Sequence, residues 1–386
     1  MKKILFSFVY VFVVLFSFGQ ARLSPAAEIS LLTCEKGYEL YSAYGHSALR
    51  VKDTANDIDV VFNYGTFEIG DNEIEFLKTF VRGTLDYSLS ASQYEHFLRT
   101  YQYENRGITE QIFNLTLVEK QQVFDRLIVN YQTDERYYRY DFFFDNCSSR
   151  IHEILKEVLG DSLIYGVDLM EDSPETFREL IAPAFDFSPW ADFGVGIIMG
   201  YPTDRIATNK EKMFLPVHLM ERFDISTCKE ETFIKSKEVI FSSIPPTINN
   251  SFYQKPIFIF TVLFLFVALI SFINIKRNKH YYSIDYFLFF LTGFIGVFFL
   301  FMWIETRHSP AFMNMNMFWA MPLNWITLFF LKAKKIAPYL LFMGVLNVIG
   351  FFVLPQVFHI AIIPITLIMA VRYFKLYLVE KNSVKK

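Results

Sequence analysis

Five apolar segments, at 256–275, 282–304, 317–331, 338–354 and 357–371, constrain this chain more than any other feature of it. A soluble fold does not cover that much contiguous apolar surface, whereas a bilayer accepts it. Crossing a hydrocarbon core of about 30 Å takes about 20 residues, so the shorter segments are read as tilted spans or as spans where the bilayer thins. The basic residues between them alternate in side. "KRNK" at 276–279, "KAKK" at 332–335 and the tail "RYFKLYLVEKNSVKK" are positive, while the loops "ETRHSPAFMNMN" and "PQ" carry almost no net charge. The positive-inside rule puts the basic loops and the C-terminus in the cytoplasm. Five spans then place everything before Pro256 on the far side of the membrane.

The N-terminus agrees with that topology. Two lysines precede an apolar run from Ile4 to Phe18, followed by small and polar residues, the pattern of a signal peptide cut near Gln20. The expected organisation is a signal peptide at 1–20, an exported domain at 21–250, a helical membrane domain at 256–372 and a cytoplasmic tail at 373–386. Basic and acidic residues number 37 and 40, so no nucleic-acid footprint stands out. No metal-ligand spacing, phosphate loop or internal repeat is present, and no cofactor is implied. The three cysteines, Cys34, Cys147 and Cys228, leave at least one thiol unpaired within the chain. A Cys34–Cys228 bridge is compatible with that count, and the sequence does not decide it.

In the exported region, "EISLLTCEKG", "SALRVKD" and "DIDVVFNYGTF" read as strands; "NEIEFLKTFVRG", "SQYEHFLRTYQYENRG" and "TLVEKQQVFDRLIVNYQT" read as helices. Then comes "DNCSSRIHEILKEVLG". Ile151, Ile154, Leu155, Val158 and Leu159 recur at helical spacing, Gly160 ends the run and Asn146 is a good N-cap. Cys147 opens this helix on its apolar side. The partial positive charge and unpaired amides of a helix start favour a thiolate and are suited to bind an oxyanion. A buried structural cysteine is the bland alternative. A nucleophilic thiol needs a base, usually histidine. His96 and His152 are explained by surface positions on mixed helix faces; His46, in "YGHSALRV", enters a strand directly after a glycine.

A strand histidine, a polar residue on the neighbouring strand and a later cysteine opening a helix form the layout of a circularly permuted papain-like site. The order resembles that of the permuted NlpC/P60 and lecithin:retinol acyltransferase group, over roughly Ile29 to Gly160. Longer stretches, "LSPAAEISLLTCEKGYELYSAYGHSALRV", "FNYGTFEIG", "FVRGTLDYSLS", "YYRYDFFFDNCSSRI", "KMFLPVHL" and "HSPAFMNMNMFWAMPLNW", look like the Bacteroides-type lipoprotein N-acyltransferases, formerly a family of unknown function. The expected fold is therefore an α+β permuted papain-like domain followed by a bundle of about five transmembrane helices.

The resemblance implies acyl transfer at an inner membrane, from a phospholipid donor to a diacylated lipoprotein. Cys147 would be the nucleophile and His46 the base. Asn63 would orient the imidazole, with Asp59, at the same strand parity, as the runner-up. The Cys147 and Ser148 amides would bind the oxyanion, and Asn146 would shape the turn. Arg307, His308, Asn314 and Asn316, at membrane depth in the loop after the second span, are candidates for lipid contact, an ordinary interfacial loop being equally compatible. Three other functions stay open: a cell-wall cysteine peptidase, a phospholipid hydrolase and a non-catalytic membrane scaffold.

Overall fold

The computed structural model describes residues 22–70, 72–166, 173–246, 251–277, 281–331 and 335–384. The expected signal peptide and parts of two basic loops, at 278–279 and 332–334, lie outside the described residues. The chain divides into two units. One comprises Met1–Glu175 with Ala207–Pro246, the other Thr176–Ile206 with Thr247–Lys386. The second grouping departs from the expected boundary near 250, because a stretch of the exported region joins the apolar C-terminal part.

The first unit is α+β. The strands of its main sheet are β1 (Glu28–Cys34), β2 (His46–Asp53), β3 (Ile58–Thr66), β4 (Asp86–Gln93), β5 (Ile108–Phe113), β6 (Tyr137–Arg139) and β7 (Ile234–Phe241), while Leu163–Ile164, Thr227–Cys228 and Glu231–Thr232 form a second, small sheet; its helices of nine residues or more are α1 (Glu73–Arg82), α2 (Tyr94–Tyr103), α3 (Leu117–Gln132), α4 (Cys147–Leu159) and α5 (Pro216–Asp224). The sheet runs β7-β5-β1-β2-β3-β4-β6, with every pairing antiparallel. β1 is apolar on both faces because both are covered. Leu31, Leu49, Val51 and Phe62 pack with Phe124 and Leu127 of α3, Ile151 and Leu155 of α4, and Phe223 of α5. On the other face Leu32, Ala48 and Val61 pack with Phe97 and Tyr101 of α2. Helix α3 starts with a capping box, Thr116 and Glu119 each closing the other's backbone amide.

In the second unit, three helices among the described residues are long and apolar enough to cross a membrane: Pro256–Lys276, Ser283–Ile304 and Ile362–Asn382. The expected segment at 317–331 does not become a span-length helix. Met315–Phe318 makes one 3-10 turn, and Leu323–Phe330 is only 8 residues long. Pro322 separates them, having no amide to donate and disfavouring helical backbone at Met321. Ala337–Val353, at 17 residues, is about 26 Å long. The last helix continues past the expected end of its apolar run because its charges have partners. Arg372 makes two bonds to Asp285, at 2.6 and 2.7 Å, and a third to Ser271 at 2.9 Å, all fully buried.

The segment Thr176–Ile206 belongs with this unit for a backbone reason. The helix Pro189–Ile198 ends with carbonyls that lack helical partners. Asn314 Nδ2 donates to the Ile197 and Ile198 carbonyls at 2.7 and 3.0 Å, and Asn316 Nδ2 to Ile197 at 3.1 Å. Arg178 covers Gly196, Met199 and Gly200, while Gln356 adds a second bond to Met199.

Candidate active site

The cysteine helix begins where Asn146 fixes it. Its Oδ1 accepts the Ser148 and Ser149 amides at 2.9 and 3.0 Å, and its Nδ2 donates to the carbonyls of Phe142 and Phe214, each at 2.9 Å. Asn146 is thus a fully used cap, buried and bonded on both ends of its amide. Cys147 follows as the first helical residue, only 8 % exposed, within the main core cluster.

Two contacts join this helix start and the loop before it to β2 and the loop that leads into it. Ser47 Oγ and Ser148 Oγ lie 3.0 Å apart, and the rings of Tyr44 and Phe142 are 4.4 Å apart. The Ser47 amide, the Ser148 amide and hydroxyl, and the amide of Cys147 itself all stabilise the thiolate. Burial opposes them and prevails, holding the thiol above its ordinary range. The depressed thiol pKa expected from the helix start is therefore not realised: desolvation of the charge outweighs the amides. The Ser148 amide is also engaged by Asn146, so Cys147 and Ser47 supply the amides better disposed to an oxyanion. Ser47 was missed by sequence reasoning; its one signal there is its place directly after His46.

His46 opens β2 after Gly45, whose φ is +79° and where an added Cβ would stand 2.7 Å from the Cys34 carbonyl. Only glycine combines that backbone with that proximity. His46 Nε2 is 3.3 Å from Asn63 Oδ1. Asn63 Nδ2 donates to the Val61 carbonyl, which turns the amide oxygen toward the imidazole. With Nε2 carrying the proton toward Asn63, Nδ1 is left as the basic nitrogen. Burial, reinforced by the Arg106 charge and opposed by Asn63, lowers the His46 pKa to about 4. The resting site is then neutral thiol and neutral imidazole.

Asp59 takes no part in this group. Its carboxylate forms a bidentate pair with Arg50, both bonds 2.7 Å. It sits four residues from Asn63 along β3, about 13 Å further from His46. Gly65 brings the other end of β3 to the cysteine, since a Cβ there would lie 4.0 Å from Cys147 Cβ. His46, Asn63, Ser47, Cys147 and Ser148 therefore gather at one end of the sheet.

The four loop candidates belong to the second unit. Asn314 and Asn316 are buried in the second unit, where they hold the backbone carbonyls described above; Arg307 is exposed and His308 partly buried. His152 is not on the surface as expected: it is buried with its ring against Tyr165, centroids 4.7 Å apart. All three cysteines are free, so no Cys34–Cys228 bridge forms. Burial pushes the Cys34 thiol up to about 12 and raises that of Cys228, and neither rests on a cluster of helix-start amides. Among the described residues no three His, Cys, Asp or Glu side chains converge as metal ligands would.

Residues 20–182 match the family described as the Lnb N-terminal periplasmic domain, and residues 247–383 match the Lnb transmembrane domain. No curated protein and no solved structure matches the chain.

Proposed function

The chain belongs to the Lnb family, with an N-terminal periplasmic domain and a transmembrane domain, and from that premise we propose that it is a lipoprotein N-acyltransferase of the bacterial inner membrane. Its catalytic unit is a permuted papain-like domain of the NlpC/P60 type on the periplasmic side, and its C-terminus is cytoplasmic. The observation that carries the reading is the Cys147 thiol seated on the helix-start amides and on the amide of Ser47, whose chain neighbour His46 is bonded to Asn63.

His46 Nδ1 accepts the thiol proton as Cys147 Sγ attacks an ester carbonyl of a membrane phospholipid. The new S–C bond leaves an oxyanion, which the Cys147 and Ser47 amides bind. Its collapse breaks the ester C–O bond, and imidazolium returns the proton to the departing lysophospholipid alkoxide. The acyl chain is now a thioester. The α-amino group of a diacylglyceryl-cysteine then attacks, His46 accepts its proton, the N–C bond forms and the S–C bond breaks to return the thiol. Burial of Cys147 in an apolar cluster favours this aminolysis over hydrolysis, because water has little access to the thioester.

The test uses the full-length protein in detergent with phospholipid and a diacylated lipopeptide, wild type beside Cys147→Ala. Mass spectrometry is expected to find an acyl adduct on Cys147 and a triacylated lipopeptide, both lost in the variant. An adduct that releases only fatty acid would make the protein a phospholipid hydrolase. No adduct would overturn the thioester mechanism and return the peptidase and scaffold readings.

A further inference from the structure

Two of the segments that carry the site residues also carry apolar side chains turned to solvent. Between β1 and His46, Leu40 and Tyr41 are exposed. Directly after β3, which bears Asn63, come Phe67 and Ile69, both exposed, and then α1. That helix is well formed, with Asn72 accepting the Glu75 amide at its start and Gly83 in the left-handed conformation at its end. Phe76 stacks on Phe67, ring centroids 5.7 Å apart, yet the helix buries none of its residues fully: Ile74 is 80 % and Leu77 59 % exposed. A 10-residue helix is marginal in water by itself and usually rests its apolar side on something. Segments separate in sequence present apolar groups at the same end of one sheet, so this is a patch, which a soluble domain rarely leaves uncovered.

We propose that this rim, with α1 at its centre, docks into the outer leaflet of the membrane that holds the chain's own spans. The occupant follows from the covalent structure. β7 ends at Phe241 and the first span begins at Pro256, positions that a fully extended chain separates by about 50 Å at most. The chain also passes between the two units at 175–176 and 206–207, which restrains the domain further. The nearest large apolar phase available to the rim is therefore the bilayer. An amphipathic helix with this pattern lies in the interface plane with its apolar side among the acyl chains. Docking there brings the end of the sheet that holds Cys147 to the acyl esters of the leaflet without lifting the lipid into water. The proposal rests on the acyl-transfer reading for its purpose, but its first test reads depth in the membrane and is independent of catalysis.

The full-length chain, in a Cys147→Ala background, is reconstituted in phospholipid nanodiscs with an environment-sensitive fluorophore on Leu77→Cys. A second sample carries it on Asp161→Cys, beyond the far end of α4 and about 20 Å from Cys147 along the helix. Lipids with a nitroxide on the acyl chain are expected to quench the label at 77 and to leave the label at 161 bright. Equal, weak quenching at both positions would overturn the proposal. So would oxidative cross-linking of two chains through residue 77, which would give the face to a second copy. With native Cys147, the Ile74→Ser/Leu77→Ser variant is expected to acylate Cys147 from bilayer phospholipid at least about tenfold more slowly, the factor that loss of even one of the two aliphatic side chains' burial sets. The loss with a water-soluble short-chain ester is expected to be smaller. Equal losses on both donors would assign α1 to the fold of the site and refute docking.

Discussion

Asn63→Ala tests the geometry at its most specific point. At 3.3 Å the His46–Asn63 bond is long for its class and joins two neutral groups. Its direct contribution is about 1 kcal/mol, or about fivefold in rate. The orienting effect is larger. Without the Asn63 oxygen the imidazole loses its preference for a proton on Nε2, and Nδ1 is no longer reserved as the base. General-base catalysis contributes about 10²–10⁴-fold, part of which goes with the tautomer. Acylation of Cys147 by phospholipid, followed by intact-protein mass spectrometry in single turnover, is expected to slow by between about fivefold and about a hundredfold. Asp59→Asn is the comparison. It loosens the bidentate pair with Arg50 and is expected to lower thermal stability while leaving the acylation rate alone. Wild-type acylation in Asn63→Ala, or an equal loss in Asp59→Asn, would refute the assignment of Asn63 as the orienting residue.

Four further outcomes follow from the structure. Because burial and Arg106 hold the His46 pKa at about 4, the base stays neutral well below the ordinary histidine range, so acylation should be level from pH 8 to about pH 5 and fall as pH drops through about 4; a limb near 6.5 in the pH–rate profile would contradict this. The same depressed pKa means protons favour the unfolded chain, so this residue's contribution to stability is complete above about pH 6.5 and is lost between there and about 4, which thermal melts across that window would detect. Asn146→Ala removes the cap and strands the Phe142 and Phe214 carbonyls, and is expected to destabilise the protein by about 2–3 kcal/mol in denaturant titrations, with Asn146→Asp recovering the cap alone. Gly200→Ala would place a Cβ 1.8 Å from the Phe312 carbonyl, so the backbone must shift; a lowered melting temperature, from about 1–3 kcal/mol of overpacking, is expected even though φ at that position suits any residue.

The cysteine helix was legible because its evidence is local. Periodicity from Ile151 to Leu159, an Asn cap and a glycine stop all act within a few residues of the bonds they form. The β2 and β3 strands were legible for the same reason, and Gly45 marked a backbone that only glycine suits. Asn63 was favoured over Asp59, and their common parity could not separate them. Arg50 does so, by binding Asp59 through a register that the sequence does not print.

What the sequence determined alone was the division into a polar α+β part and an apolar helical part, since hydrophobic periodicity and run length are properties of neighbours along the chain. The structure decided what depends on distant partners. Asn314 and Asn316 look like polar residues stranded at membrane depth, yet they close the end of a helix more than a hundred residues earlier. The same bonds draw Thr176–Ile206 into the second unit against the change in composition near Pro256. The charge state of Cys147 belongs to this class too. A helix start predicts a lowered pKa, but the thiol's burial between α4 and the sheet raises it, and burial is set by everything that packs around the residue.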